Sequence, residues 1–188
     1  LIGVMRWMVE LGCIDIATEV SMLSSYLACP RKGHLENALH VMGYLQLKHN
    51  SRLIFDPTYP DIDQTAFPSF EWMEFYGNVE EAIPPDKPPP LGKDVDLCMM
   101  VDSDHAGEKR TRRSRTGFII FCNLAPIIWL SKQQATIETS VFGAEFVAMK
   151  HGIKLLRGLR YKIRMMGIPL SRPTYIYGNN KSQVTNSS

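Results

Sequence analysis

No run of 18 apolar residues occurs in this 188-residue chain, so no transmembrane helix is expected. The sequence opens at Leu1 with no basic segment leading into an apolar one, and it reads as an internal fragment without a secretory signal. Cysteine is sparse. Cys13, Cys29, Cys98 and Cys122 form no C-x-x-C pair, and no histidine accompanies them at ligand spacing. That argues against zinc and for a reducing intracellular setting, cytoplasmic or nuclear, with two structural disulfides as the minority alternative. No internal repeat is present. Compositional bias is also missing: with 45% hydrophobic and 21% charged residues the chain can bury a core, which excludes a disordered tail, a collagen-like fibre and a disulfide scaffold.

Charge is scarce overall and unevenly placed. The net charge of +2 hides seven Lys/Arg against 13 Asp/Glu in residues 1–94, and 14 Lys/Arg against six Asp/Glu in residues 95–188. A basic second half fits a polyanionic partner, nucleic acid being the commonest, or a solvated basic face; charge alone divides evenly between them.

Three stretches differ in character. Residues 1–55 form a small helical segment. Asp15 or Thr18 can cap a helix running toward Leu27 and stopping before Pro30. From Gly33 to Lys48 the apolar positions Leu35, Ala38, Leu39, Met42 and Leu45 predict an amphipathic helix with Lys48 in its last turn, where the dipole favours a cation. Ser51–Phe55 is a strand candidate, and His34 and His40 are surface histidines. Residues 56–94 hold eight prolines and many acids, which deny regular helix or central strand and predict a linker. Phe70, Trp72, Phe75 and Tyr76 are expected to pin part of it to a neighbouring domain.

Residues 95–188 alternate by type. Val95–Val101 predicts a strand that ends in the acidic turn from Asp102 to Gly107. Thr116–Cys122 and Ala125–Leu130 predict a hairpin around Asn123-Leu124. A long helix follows from about Thr139 to Met166, closed by Gly167 and Pro169, and Pro173–Tyr177 is a last strand before Asn179-Asn180. The order β-β-β-α-β implies a mixed α/β sheet, with the last strand parallel to the first.

Two carboxylates stand out by position. Asp102 lies at the carboxyl end of an apolar strand, where open α/β sheets place ligands. Glu145 shares a helix face with Val141, Ala144, Ala148, Gly152, Leu155, Leu159 and Ile163, so it faces the sheet, and the small residues let the helix come close. A buried carboxylate is costly unless it is paired, caps backbone or binds metal. An aspartate facing a glutamate across one α/β layer suits Mg²⁺ or Mn²⁺, and two such ions clamp the oxygens of a phosphodiester during hydrolysis.

The segments VDSDHAGEKRTRRSRTGFIIF, APIIWLSKQQATIETSVFGAEFVAM and PTYIYGNNKSQV, in that order, resemble the ribonuclease H domain of copia-type retrotransposon polyproteins. Asp15-Ile16, Val20-Ser21, Leu23-Ser24, Pro30, His34, Ala38 and Tyr44-Leu45 resemble the segment that joins reverse transcriptase to that domain. The resemblance implies a ribonuclease H-like mixed sheet, C-terminally truncated, over residues 95–188. It implies hydrolysis of the RNA strand of RNA–DNA hybrids, and a reverse transcriptase domain in cis. Asp102 matches the first metal-binding aspartate and Glu145 the metal-binding glutamate. Asn179 stands where the family has its third acid, and the sequence reaches Ser188 without a fourth.

Asn179 is neutral, so the resemblance implies a degenerate site with weak or no hydrolysis, a non-catalytic nucleic-acid-binding module or an inactive remnant being the alternatives. Lys109, Arg110, Arg112, Arg113 and Arg115 follow the Asp102 turn and are expected to contact phosphates, with Lys132 as a further contact. The cations Lys150, Lys154, Arg157, Arg160, Lys162 and Arg164 on the long helix are expected to be a solvated face.

Overall fold

The computed structural model describes residues 1–63, 65, 73–78, 81 and 83–180. The helical segment holds α1 (Ile2–Glu10), a 3₁₀ turn (Ile14–Ile16), α2 (Ala17–Ser24) and α3 (Lys32–Leu47). Its core is Met5, Ile16, Val20, Leu23, Ala38 and Val41. Neither expected cap forms, since α2 follows directly on the 3₁₀ turn with Ile16 at its N-cap. Asp15 instead accepts a hydrogen bond of 2.7 Å from the Tyr44 hydroxyl, tying the turn to α3. The helix stops at Ser24, short of Leu27. The α3 span is as expected but its buried face is not: Ala38 and Val41 are buried, while Leu35 and Leu39 are exposed. The eight-residue α2 covers only a narrow stripe of its longer neighbour.

Ser51–Phe55 is not a strand, because no other strand lies alongside to take its hydrogen bonds, and Ile54 and Phe55 are exposed. The described part of residues 56–94 is irregular apart from α4 (Met73–Tyr76). Phe70 and Trp72 lie outside the described residues, and Phe75 and Tyr76 are exposed. The anchors seen here are polar. Pro57 and Thr58 carbonyls accept from the Asn123 amide and the Leu124 N–H at 2.9 and 3.2 Å. The Leu91 N–H donates to the Gly167 carbonyl at 2.7 Å.

Glu81 is the strongest anchor. Its two oxygens accept from Arg160 at 2.8 Å each, and one also accepts from Arg164 at 2.7 Å. These guanidiniums hold its carboxyl down to about 2. A depressed acid stabilises the fold above its ordinary value near 4.5 and loses that contribution as pH falls toward 2. Exposure of Glu81 limits the pair to about 1 kcal/mol. Glu81→Gln is therefore expected to speed proteolysis within residues 56–94 at neutral pH, with the wild type approaching the variant's rate under pepsin as pH drops through that window. Equal rates at neutral pH would remove Glu81 as an anchor.

The second half is a four-stranded mixed sheet in the order β3-β2-β1-β4. Its strands are β1 (Leu97–Asp104), β2 (Arg115–Cys122), β3 (Ala125–Gln133) and β4 (Tyr175–Gly178). β2 is antiparallel to β1 and β3, and β4 is parallel to β1, as the β-β-β-α-β order implies. The hairpin turn works because Asn123 adopts φ +56°, a left-handed conformation that asparagine tolerates, while its side chain accepts from the Asp96 N–H at 2.9 Å.

α5 (Val141–Met165) covers one face of the sheet, with Ser140 accepting from the Gly143 N–H at 3.0 Å as its cap. Met99, Val101, Phe118 and Ile120 pack against Ala148 and Leu156. Gly152 lets the helix close in, since a Cβ there would stand 2.5 Å from the Met99 sulfur. Val141 is exposed at the helix start, and Met149 and Leu156 join the buried face beside the expected Ala144, Glu145, Ala148, Gly152 and Ile163. The helical segment packs on the β3 side of the sheet, where the Trp129 indole donates to the Val9 carbonyl at 2.9 Å.

Candidate functional site

β1 continues past the expected end at Val101, so Asp102 lies inside the strand, paired with Gly117, not in a turn. Asp104 ends the strand by accepting the Arg115 N–H, and its carboxylate fills the space where a side chain at Gly107 would stand. Ser131, Gly117 and Asp102 form one cross-strand row, because Ser131 pairs with Gly117 and Gly117 with Asp102. On the other side of β1, Val101 pairs with Gly178 in parallel register. Asn179 is the next residue after that pair, level with Asp102.

Glu145 lies in the second turn of α5 and is 2% exposed, whereas Asp102 is exposed. The two meet. Burial is the main cause that pushes the Glu145 carboxyl above its ordinary value, and the neighbouring Asp102 charge adds to it. A hydrogen bond between the two carboxyls pushes the same way, while hydrogen bonds from Ser103 oppose it. Glu145 is thus a buried carboxyl held next to a second carboxyl, and both burial and that neighbour favour its neutral form. Asp102 also accepts from the Ser103 N–H at 2.8 Å. A cleft of about 200 Å³ opens beside Asp102 and is lined by Thr18, Asp102, Ser103, Asp104, Arg115, Gly117 and Ser131; the buried Glu145 is not part of its lining.

An acid with a raised folded value favours folding most below its ordinary value and costs stability as pH rises through the window above it. Glu145→Gln removes that cost. The variant is expected to be more stable than wild type near neutral pH, by about 1 kcal/mol, and equal to it at pH 4. Urea unfolding at the two pH values checks this; equal stability at both would show that Glu145 is not held protonated.

The basic residues fall into two groups. Lys109, Arg110, Arg112 and Arg113 are exposed in the loop between β1 and β2, and Lys132 is exposed on β3. The loop's base is pinned: the Ala106 N–H donates to the Ser114 hydroxyl at 3.0 Å, and Glu108 accepts from the Tyr26 hydroxyl at 2.8 Å. Arg115 stands apart. It is 8% exposed, and its guanidinium donates to the Ser21 hydroxyl of α2, so it ties the helical segment to the sheet and presents no free charge to solvent. Burial lowers its ordinary value, opposed by the charges of Asp104 and Glu108.

Thr18 and Ser103 are site-lining residues whose place at the site the sequence did not give, while Ser131 belongs to the Ser131-Lys132-Gln133 stretch that the sequence offers as a candidate substrate contact. A serine beside Asp102 is a local signal for Ser103, but Thr18 and Ser131 reach the cleft only through the packing of α2 on β3.

The donor set decides what cation chemistry fits. Two divalent ions held close together need anionic ligands to offset their repulsion. Here the site offers two carboxyls, one of them buried, and Asn179 would add an amide oxygen without charge. Among the described residues, no group of three or more His, Cys, Asp or Glu could hold a metal. The residues present do not fit a pair of divalent ions. The four cysteines are free thiols, and among the described residues no helix is long and apolar enough to cross a membrane.

Over 166 residues, 88% of its length, the chain is 30% identical to part of the retrovirus-related Pol polyprotein from transposon RE1 of Arabidopsis thaliana. That homologue is by name a retrotransposon Pol polyprotein. A second, from transposon RE2 of the same plant, is 30% identical over 89 residues, 47% of the chain. The chain spans only 9% and 6% of these two polyproteins. The RE1 alignment leaves 22 of the 188 residues outside it, so it takes in most of both the helical segment and the sheet. No family model and no solved structure matches the chain.

Proposed function

We propose that this chain is a ribonuclease H-type unit of a retrotransposon polyprotein, acting on the RNA strand of RNA–DNA hybrids through a degenerate carboxylate site. The observation that carries this reading is the contact between Asp102 on β1 and Glu145 on α5, with Asn179 level with Asp102 on the neighbouring parallel strand. The β-β-β-α-β order and the similarity to Pol polyproteins support it. The chemistry would be attack of water on a phosphodiester; Asp102 and Glu145, with the Asn179 amide oxygen, would hold at most a single Mg²⁺ or Mn²⁺, which would supply positive charge there. With a neutral Asn179, hydrolysis is expected far below that of a site with a third carboxylate. The exposed residues Lys109, Arg110, Arg112, Arg113 and Lys132 would position the phosphate backbone without reading sequence, and hybrid shape and 2′-hydroxyls would provide recognition. A polymerase domain in cis fits the same reading.

The second reading is a non-catalytic nucleic-acid-binding module, which Asn179 and the exposed basic loop favour. Cleavage of a labelled RNA–DNA hybrid, with Mg²⁺ and then Mn²⁺, separates the two. Slow cleavage that vanishes in Asp102→Asn is the expected result. Hybrid binding without cleavage would favour the binding module. A folded protein that neither binds nor cleaves the hybrid would overturn both.

A further inference from the structure

We infer that the exposed ridge of α5 is a second nucleic-acid contact, taking a single-stranded stretch that leaves the carboxylate site; this rests on the nucleic-acid reading above. At 100° per residue, Phe142, Phe146, Lys150, Lys154 and Arg157 share an arc of about 120° on the exposed side of α5, starting on the flank of its buried stripe. The ridge begins beside Glu145. Phe142 and Phe146 are 38% and 47% exposed, and their rings stack with centroids 6.1 Å apart. Two phenyl faces at the rim of a charged site form a platform for bases, which stack on any aromatic face without sequence preference.

The cations continue the track. Lys150, Lys154 and Arg157 are exposed, and among the described residues none of them makes an ion pair. Glu145 is the one acid in the whole of α5, and it is buried on the stripe that faces the sheet. Arg160 and Arg164, farther along, differ because both are paired to Glu81, which offsets part of their charge. Like charges spaced three and four apart on a helix destabilise it, so the bare stretch Lys150–Arg157 carries a cost that a polyanion removes. From Phe142 to Arg157 the ridge is about 22 Å long, the length of about six nucleotides at the 3.4 Å rise of a duplex strand. Aromatic rings at the site end and cations beyond it suit a strand whose bases stack first and whose phosphates follow.

The test uses the full chain and a fluorescein-labelled RNA–DNA hybrid carrying a single-stranded overhang, with anisotropy read across a salt series. Two variants alter the ridge: Phe142→Ala with Phe146→Ala, and Lys150→Gln with Lys154→Gln and Arg157→Gln. All five positions are exposed, and a thermal melt confirms folding. The aromatic variant is expected to bind roughly tenfold more weakly. The glutamine variant is expected to lower the slope of log affinity against log salt by about 2 to 3. Both effects should disappear with a blunt hybrid. Arg110→Gln with Arg113→Gln in the β1–β2 loop separates the two readings. If the loop variant loses affinity while both ridge variants bind the overhang as wild type does, the ridge inference is overturned and the nucleic-acid reading stands. If wild type binds neither probe, both fall.

Discussion

Asn179→Asp is expected to raise divalent-cation affinity at least thirtyfold and to increase hybrid cleavage with it. The argument is Coulombic. The variant would place a full negative charge level with Asp102, because the parallel pairing of Val101 with Gly178 aligns residue 179 with residue 102. At about 4 Å even water-like screening gives roughly 1 kcal/mol per pair of unit charges, so a divalent ion gains about 2 kcal/mol, which is about thirtyfold; lower local polarity increases the gain. Calorimetric titration with Mn²⁺ measures it without relying on activity. Unchanged affinity would mean that residue 179 does not face the two carboxyls. Asn179→Ala serves as the control, since it removes the amide without adding charge and is expected to leave the weak affinity nearly unchanged.

Arg115→Met is expected to destabilise the protein by about 2 kcal/mol, the value of a buried hydrogen bond to a charged group. The melting temperature should fall by roughly 5 °C for a chain of this size. Methionine keeps much of the apolar stem, so the loss reports the guanidinium. The Ser21 hydroxyl would lose its donor, and Asp104 and Glu108 would lose the positive charge beside them. The helical segment should loosen from the sheet first, because among the described residues only two side-chain hydrogen bonds between them would remain: Trp129 to Val9 at 2.9 Å and Tyr26 to Glu108 at 2.8 Å. Faster proteolysis within residues 1–55 than within the sheet would show this. A variant as stable as wild type would mean that Arg115 is held for another purpose, its placement in the basic stretch included.

These two residues show how far the sequence could be read. Arg115 is one letter in a run of arginines, and charge pattern alone gives every member of the run the same expected role. Burial sets it apart, and burial there depends on α2 lying against β3, a contact between residues nearly a hundred positions apart. Asn179 was legible as a substitution in a motif, but its alignment with Asp102 rests on pairing between β1 and β4, which α5 separates in the chain.

Local features were read well where local forces govern them. The span of α5 follows from apolar spacing, from the Ser140 cap and from Gly167 at φ +73°. The hairpin, the parallel last strand and the buried position of Glu145 follow from periodicity and from the handedness of crossovers. The misreadings share a cause. Leu35 and Leu39 are exposed, and Ser51–Phe55 forms no strand, because burial and strand pairing need a partner surface that propensity does not supply.

The sequence by itself determined the strands and helix of residues 95–180, their order and the two acids on facing elements, since backbone propensity and helical period act over a few residues. Only the tertiary structure decided that Glu145 is buried beside Asp102, that Arg115 binds α2 and that Glu81 anchors the proline-rich stretch to α5. Each of these is a contact between residues distant in the chain. Its energy depends on the distance and desolvation that packing creates, and no local pattern encodes them.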